Sequence, residues 1–225
     1  MSGATTETSR SATATGAKPG RDCPLCPRLK SFRRNLRRSQ PTWFNAPVPS
    51  FGPPSARLLI VGLAPGLRGA NRTGRPFTGD YAGDLLYEML ARFGFARGKY
   101  EARCGDGLEL IDARITNAVR CVPPENKPTA LEISTCRGFL KATIAEMPNL
   151  AAILALGRIA HESVIAALAQ PSRASPFAHG ASFPIGKHRL FCSYHCSRLN
   201  TNTGVLTAEM FQAVFSDVRA YLDAK

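Results

Sequence analysis

The chain has 225 residues, 29 Lys and Arg against 16 Asp and Glu for a net charge of +13, and 44% apolar residues. That is enough length and apolar content for one α/β domain with a sizeable core. No stretch approaches the roughly 20 apolar residues of a membrane span, and the Ser-, Thr- and Ala-rich N-terminus lacks the apolar centre of a secretion signal, so the expectation is a cytoplasmic protein without a membrane partner.

Residues 1–20 are poor in apolar side chains and read as a disordered tail, with residues 21–225 forming a single domain. Residues 22–40, DCPLCPRLKSFRRNLRRSQ, open with a C-x-x-C at Cys23 and Cys26. A basic helical segment follows with Arg28, Lys30, Arg33, Arg34, Arg37 and Arg38. It is either a solvated face or, if a metal anchors it to the core, a surface that faces phosphates. Residues 41–56 are a Pro-rich loop whose Trp43 reads as a packing anchor. The apolar run Leu58-Leu59-Ile60-Val61 has the pattern of a buried parallel strand. It turns through Gly62-Leu63-Ala64-Pro65-Gly66 and a loop rich in Arg and Gly that reaches Phe77 and Asp80.

Residues 81–95 read as an amphipathic helix with Leu85, Leu86, Met89, Leu90 and Phe93 on one face. Asp80 stands near its start, where a helix cap is the ordinary role of an aspartate. A polar connection spans 96–112. A second strand, 113–119, ends at Asn117 and leads to Cys121 and the loop VPPENKP. Thr129 as N-cap with Glu132 at the capping-box position opens a helix that contains Cys136. Residues 151–157 form a third strand, and Arg158 begins a helix that carries His161. A Pro- and Gly-rich excursion covers 170–187. The fourth strand, 188–193, ends in Tyr194-His195-Cys196-Ser197, and RLNTNTG leads to a last helix from about Thr207. This alternation predicts an α/β fold, a three-layer α/β/α sandwich around a mainly parallel four-stranded sheet. Ligands of such sheets sit at the carboxyl ends of the strands, where Gly62 to Asp80, Asn117, the Gly157 turn and His195 would meet.

Seven cysteines in a reducing compartment are thiols or metal ligands rather than a disulfide framework. Cys23 and Cys26 pair by spacing, and Cys121 and Cys136 could complete a four-thiolate site for zinc or for an iron–sulfur cluster. Cys192 reads as core; Cys104 and Cys196 are left over. Residues 1–38 hold nine Lys/Arg and two acids, and the rest of the chain twenty and fourteen, so both parts are basic. A polyanionic partner explains this, as does simple solubility.

Three blocks in chain order, GLAPG with NRTGRPFTGD, TNAVRCVPPENKP and SYHCSRLNTNTG, together with the cysteine order, resemble the uracil-DNA glycosylase superfamily. They are most similar to its iron–sulfur branch called family 5, or type b. The resemblance implies a monomeric, monofunctional DNA-repair enzyme of base excision repair, nucleoid-associated through DNA. It would hydrolyse the N-glycosidic bond of uracil, and of other deaminated bases such as hypoxanthine. It also implies a [4Fe-4S] cluster on Cys23, Cys26, Cys121 and Cys136.

Breaking this bond needs donors at the uracil O2, a carboxylate near the sugar and a positioned water. The expected parts are His195 and the amides around Gly62, Leu63 and Ala64 as donors, Phe77 to stack on a flipped base, and Asn117 to read the N3–H and O4 edge. Family 4 relatives carry an acid where this chain has Leu63, so the family 5 pattern moves the acid to Asp80, with Asp84 as the alternative. Leu199, flanked by Arg198 and Asn200, is expected to fill the gap left by the flipped base while Arg198 contacts phosphate. A non-catalytic nucleic-acid-binding module with a structural metal site is the competing reading, and a small redox protein a third.

Overall fold

The computed structural model describes residues 18–171 and 174–225. Most of the tail expected over 1–20 therefore lies outside the described residues. In chain order the elements are α1 (Pro27–Ser39), β1 (Leu58–Gly62), α2 (Ala70–Thr73), α3 (Tyr81–Arg92), β2 (Ala96–Arg97), β3 (Glu109–Leu110), β4 (Ala113–Asn117), a short 3₁₀ turn (Pro124–Asn126), α4 (Ala130–Ala145), β5 (Ala152–Leu156), α5 (Arg158–Ala167), β6 (Ser182–Ile185), β7 (His188–Ser193), α6 (Arg198–Asn202) and α7 (Ala208–Asp223).

The main sheet has the order β4-β1-β5-β7-β6. The four expected strands pair in parallel. A fifth, β6, lies antiparallel on β7 in the segment expected to be an irregular excursion, so the sheet is five-stranded. Pro184 is tolerated there because β6 is an edge strand. The polar connection 96–112 likewise holds a small antiparallel pair, β2 with β3.

β1, β4 and β5 are buried at every position. Successive side chains of a strand point to opposite faces, and the core divides accordingly. Leu58 and Ile60 pack with Leu86, Leu90, Phe211 and Phe215 of α3 and α7. Leu59 and Val61 pack with Leu140, Ile144, Ala160 and Val164 of α4 and α5. Helices thus cover both faces, as the continuous apolar runs require. Thr129 caps α4 in a complete capping box with Glu132.

The chain leaves β1 for β4 on one side and returns to lay β5 on the other. Carboxyl ends therefore open into a crevice beside β1. Gly62 pairs with Asn117 and Leu156 with Ser193, so four strand ends sit at one edge of the sheet.

Helix α1 departs in part from the expectation of a wholly solvated or phosphate-facing run. Arg28 bonds Glu132 at 2.8 Å, Arg33 is buried, and Arg37 donates to Asn45 O at 2.9 Å. Arg28, Arg33 and Arg37 brace the helix against the rest of the chain, while Arg34 and Arg38 remain exposed without such contacts to the core. Among the described residues no helix is long and apolar enough to cross a membrane.

Candidate active site

A cavity of about 430 Å³ opens at the strand ends, lined by Leu63, Ala64, Phe77, Asp80, Asn117 and His195 among others. Five chain segments supply it: the turn after β1, the loop into α3, the end of β4, the loop before α4, and the segment after β7. Every expected catalytic and base-binding residue except Gly62 lines it directly.

Gly62 acts through its lack of a side chain. A Cβ there would meet Asn117 Oδ1 at 2.5 Å and Phe77 Cζ at 2.5 Å. Only glycine lets these two side chains close over the end of β1. Asn117 is 3% exposed, and its Oδ1 is buried without a hydrogen-bond partner. A buried unpaired acceptor is costly, so this oxygen is poised for a donor brought by a ligand.

Phe77 is 7% exposed, and its ring lies 5.8 Å from that of His195 with 28° between the planes. Its backbone is left-handed, φ +51°, a conformation that costs a non-glycine residue ~1–3 kcal/mol. The surroundings hold it there. Arg75, two residues earlier, pairs with Asp106 through both Nη atoms at 2.8 and 2.7 Å and donates from Nε to Thr78 Oγ1 at 2.8 Å. Its guanidinium also stands 5.1 Å from the Phe51 ring, 5.3 Å from Tyr87 and 5.6 Å from Tyr100. The same pairing holds the Asp106 carboxyl well below the usual range. Tyr100 Oη donates to Phe77 O at 3.3 Å. This lock was invisible in the sequence, where its two halves stand 31 residues apart.

Asp80 both caps α3 and lines the cavity. Its Oδ1 accepts from Gly83 N–H at 3.3 Å, capping α3. Its Oδ2 faces the turn after β1: a Cβ on Gly66 would come within 2.8 Å of it, and one on Gly69 would overlap it. Burial raises the Asp80 carboxyl above its ordinary value of 3.8, which makes it a stronger base. Asp84, the alternative acid, is exposed and does not line the cavity.

His195 follows β7 and packs near the Gly157 turn. Burial pushes its imidazole down from 6.5 to about 4, so the ring is neutral at pH 7 and keeps one N–H donor and one acceptor. Asn200, expected at the DNA, donates from Nδ2 to His195 O at 2.8 Å and ties α6 to the histidine. Arg198 lines the cavity mouth, 5.5 Å above the Tyr81 ring. Leu199 is 72% exposed. The other histidines serve the fold: His188 bonds Leu150 O at 2.8 Å, His179 stacks on Tyr194, and His161 packs edge-on against Phe177.

The cavity also includes Tyr81 and Asn126, which the sequence reading left without a role. Asn126 arrives on two successive left-handed residues, Glu125 at φ +54° and itself at +58°.

Cys23, Cys26, Cys121 and Cys136 line one small cleft between α1, the end of β4 and α4. With Leu29, Val119 and Phe139 they form a cluster separate from the two sheet cores. Burial pushes the Cys26 thiol up to about 11 and the Cys121 thiol to about 12. Four sulfurs facing one cleft are a donor set for soft metals, and thiolates there would need positive charge beside them. Among the described residues no three His, Cys, Asp or Glu side chains meet at a point that could hold one metal ion. Cys192 and Cys196 are fully buried, Cys196 donating to Ala82 O, and Cys104 is exposed.

Comparisons agree with this geometry. The family model described as "Uracil DNA glycosylase superfamily" matches residues 49–219. The chain is 45% identical over 204 residues to a type-5 uracil-DNA glycosylase of Thermus thermophilus, covering 88% of this chain and 92% of the relative. It is 39% identical over 207 residues to one of Pyrobaculum aerophilum, covering 90% and 89%. A type-4 uracil-DNA glycosylase of Pyrobaculum aerophilum is 34% identical over 146 residues, 64% of this chain and 60% of the relative. A doubly covered, mainly parallel sheet, a cavity at its strand ends and matches along most of its length place the protein: the chain belongs to the uracil-DNA glycosylase superfamily.

Proposed function

We propose that this protein excises uracil from DNA by hydrolysing the N-glycosidic bond and leaves an abasic site. The observation that carries the reading is the meeting of Phe77, Asp80, Asn117 and His195 in one cavity, with the Asn117 Oδ1 buried and unpartnered.

A base flipped out of the stack enters this cavity and lies on the Phe77 ring. The Asn117 Oδ1 accepts from N3–H, and its amide donates to O4. Cytosine presents the opposite pattern and leaves the amide mismatched. As the bond to the sugar breaks, negative charge grows on the pyrimidine, and the ring N–H of neutral His195 donates a hydrogen bond to O2. The amides after Gly62 add to this. The Asp80 carboxylate stands where it can hold and deprotonate water for the sugar and balance the developing positive charge. Leu63, at the place of the family 4 acid, can do neither. Exposed Leu199 fills the space left in the duplex, and Arg198 holds a phosphate.

The cavity is also roomy, and no lining residue is assigned to reject a larger base, which supports acceptance of hypoxanthine and other deaminated bases. Among the described residues no lysine lines the cavity to form a Schiff base, so the strand stays intact until alkali is added.

Cys23, Cys26, Cys121 and Cys136 would hold a [4Fe-4S] cluster, and their shared buried cleft supports that reading. Bound there, the cluster supplies a staple that fixes α1 to the ends of β4 and α4 rather than chemistry on the base.

A duplex with a single U·G pair, incubated with the anaerobically purified protein and then with alkali, should break at the uracil. A parallel duplex with hypoxanthine tests the broader range. An intact strand would sink the enzyme reading and leave a DNA-binding module.

A further inference from the structure

Two buried arginines flank the cysteine cleft, and among the described residues neither is paired with a carboxylate. Arg33 on α1 and Arg120 just after β4 are 2% and 1% exposed, and both line the cleft with the four cysteines. Arg33 donates to two carbonyls of the chain around the C-x-x-C, Arg21 O at 3.1 Å and Cys23 O at 2.8 Å. Arg120 donates to Ser50 Oγ at 3.0 Å and Thr143 Oγ1 at 2.7 Å, while its backbone N–H points at Cys136 Sγ, 3.3 Å away. The Nε of each lacks a partner.

Carboxylates of this region are already engaged: Glu132 with Arg28 at 2.8 Å and Glu146 with Arg114 at 2.7 Å. Neither Arg33 nor Arg120 belongs to an ion pair among the described residues. A buried cation left with neutral partners is strongly unfavourable, so its counter-charge must come from elsewhere. The cleft offers one source. Four thiolates outweigh the positive core of an iron–sulfur cluster, so the assembled group is a net anion.

Resting on the cluster reading above, we propose that Arg33 and Arg120 are the buried counter-ions of this anion, stabilising its assembly and raising its reduction potential. The direction follows from Coulomb's law: reduction adds negative charge, and adjacent cations favour the more negative form. The arrangement also explains why both arginines are buried against one cleft, whereas Arg34 and Arg38 on the same helix as Arg33 are exposed.

The test compares anaerobically purified full-length wild type with Arg33→Gln, Arg120→Met, Arg33→Lys and Arg120→Lys. It reads iron and acid-labile sulfide per chain, the half-life of iron release to a chelator, and the potential by spectroelectrochemistry. Each loss of charge should lower the equilibrium constant for one-electron reduction about tenfold, ~59 mV more negative, and shorten the iron half-life. Both lysine variants should stay close to wild type. If Arg120→Met does not fold, Arg33→Gln against Arg33→Lys still decides the matter. A loaded wild type whose neutral variants match it in potential and iron release overturns the proposal. So do lysine variants that shift as far as the neutral ones, because packing rather than charge would then be at work. A wild type without iron and sulfide removes the cluster itself, a separate and recognisable failure.

Discussion

Gly62→Ala tests the geometry of base recognition with one methyl group. The added Cβ would lie 2.5 Å from Asn117 Oδ1 and 2.5 and 2.7 Å from two atoms of the Phe77 ring, whereas ordinary contact begins at 3.4 Å. Each partner must therefore retreat by nearly 1 Å. β1 cannot absorb the shift, because Leu58 to Gly62 are paired to β4 on one side and Leu58 to Val61 to β5 on the other. Phe77 has little freedom either, held at a left-handed backbone beside the Arg75–Asp106 pair. A misplacement of this size in a catalytic site costs on the order of 10²-fold in rate. Overpacking of the strand end costs about 1–3 kcal/mol in stability. Single-turnover excision of uracil from a U·G duplex reads the first, and denaturant unfolding reads the second. Excision at the wild-type rate by a folded Gly62→Ala protein would refute the assignment of Asn117 and Phe77 to the base.

Leu199→Ala should leave stability within about 0.5 kcal/mol, since the side chain is exposed. It should slow excision from duplex DNA while sparing a single-stranded uracil substrate, and equal losses on both substrates would contradict the wedge. The rate should be flat through neutral pH and fall on the acid side, where the Asp80 carboxylate, raised above its ordinary value by burial, and His195, pushed down to about 4, take up protons. The same histidine makes the fold less stable in acid. The unfolded chain binds its proton near 6.5 and the folded chain only near 4. This contribution is therefore complete above 6.5 and is lost as the pH falls toward 4; His195→Gln should flatten that part of a stability–pH curve. Cys121→Ser should lose bound iron, loosen α1 and weaken DNA binding, as followed by metal analysis, proteolysis at α1 and a binding titration. Retained DNA affinity without iron would remove the stapling role.

Much of the site was legible in the sequence because its parts sit at strand ends, and strand ends are marked by apolar runs breaking at glycine or a polar residue. Leu58-Leu59-Ile60-Val61 before Gly62, and ARITN ending at Asn117, gave both the sheet and its functional edge. The antiparallel β6 escaped because Ser182-Phe183-Pro184-Ile185 has a proline and no clear alternation, and it becomes a strand only by pairing with β7. Asn126 escaped because two left-handed residues redirect its loop, and nothing local announces that turn. The basic run of α1 misled in part: charge pattern alone does not separate Arg33, which points into the protein, from Arg34, which faces solvent. Arg75 and Asp106 are joined only by the fold.

Asp80 offers the most direct test of the account, because one carboxylate both caps α3 and faces the cavity. Asp80→Asn can still accept the cap hydrogen bond from Gly83 but cannot take a proton from water. Rate and DNA affinity should be measured together for wild type, Asp80→Asn and Asp84→Asn on the same U·G duplex. The account predicts a loss of about 10²–10⁴-fold in the rate for Asp80→Asn, with affinity unchanged and Asp84→Asn at the wild-type rate. Full activity in Asp80→Asn, or a loss confined to Asp84→Asn, would contradict it.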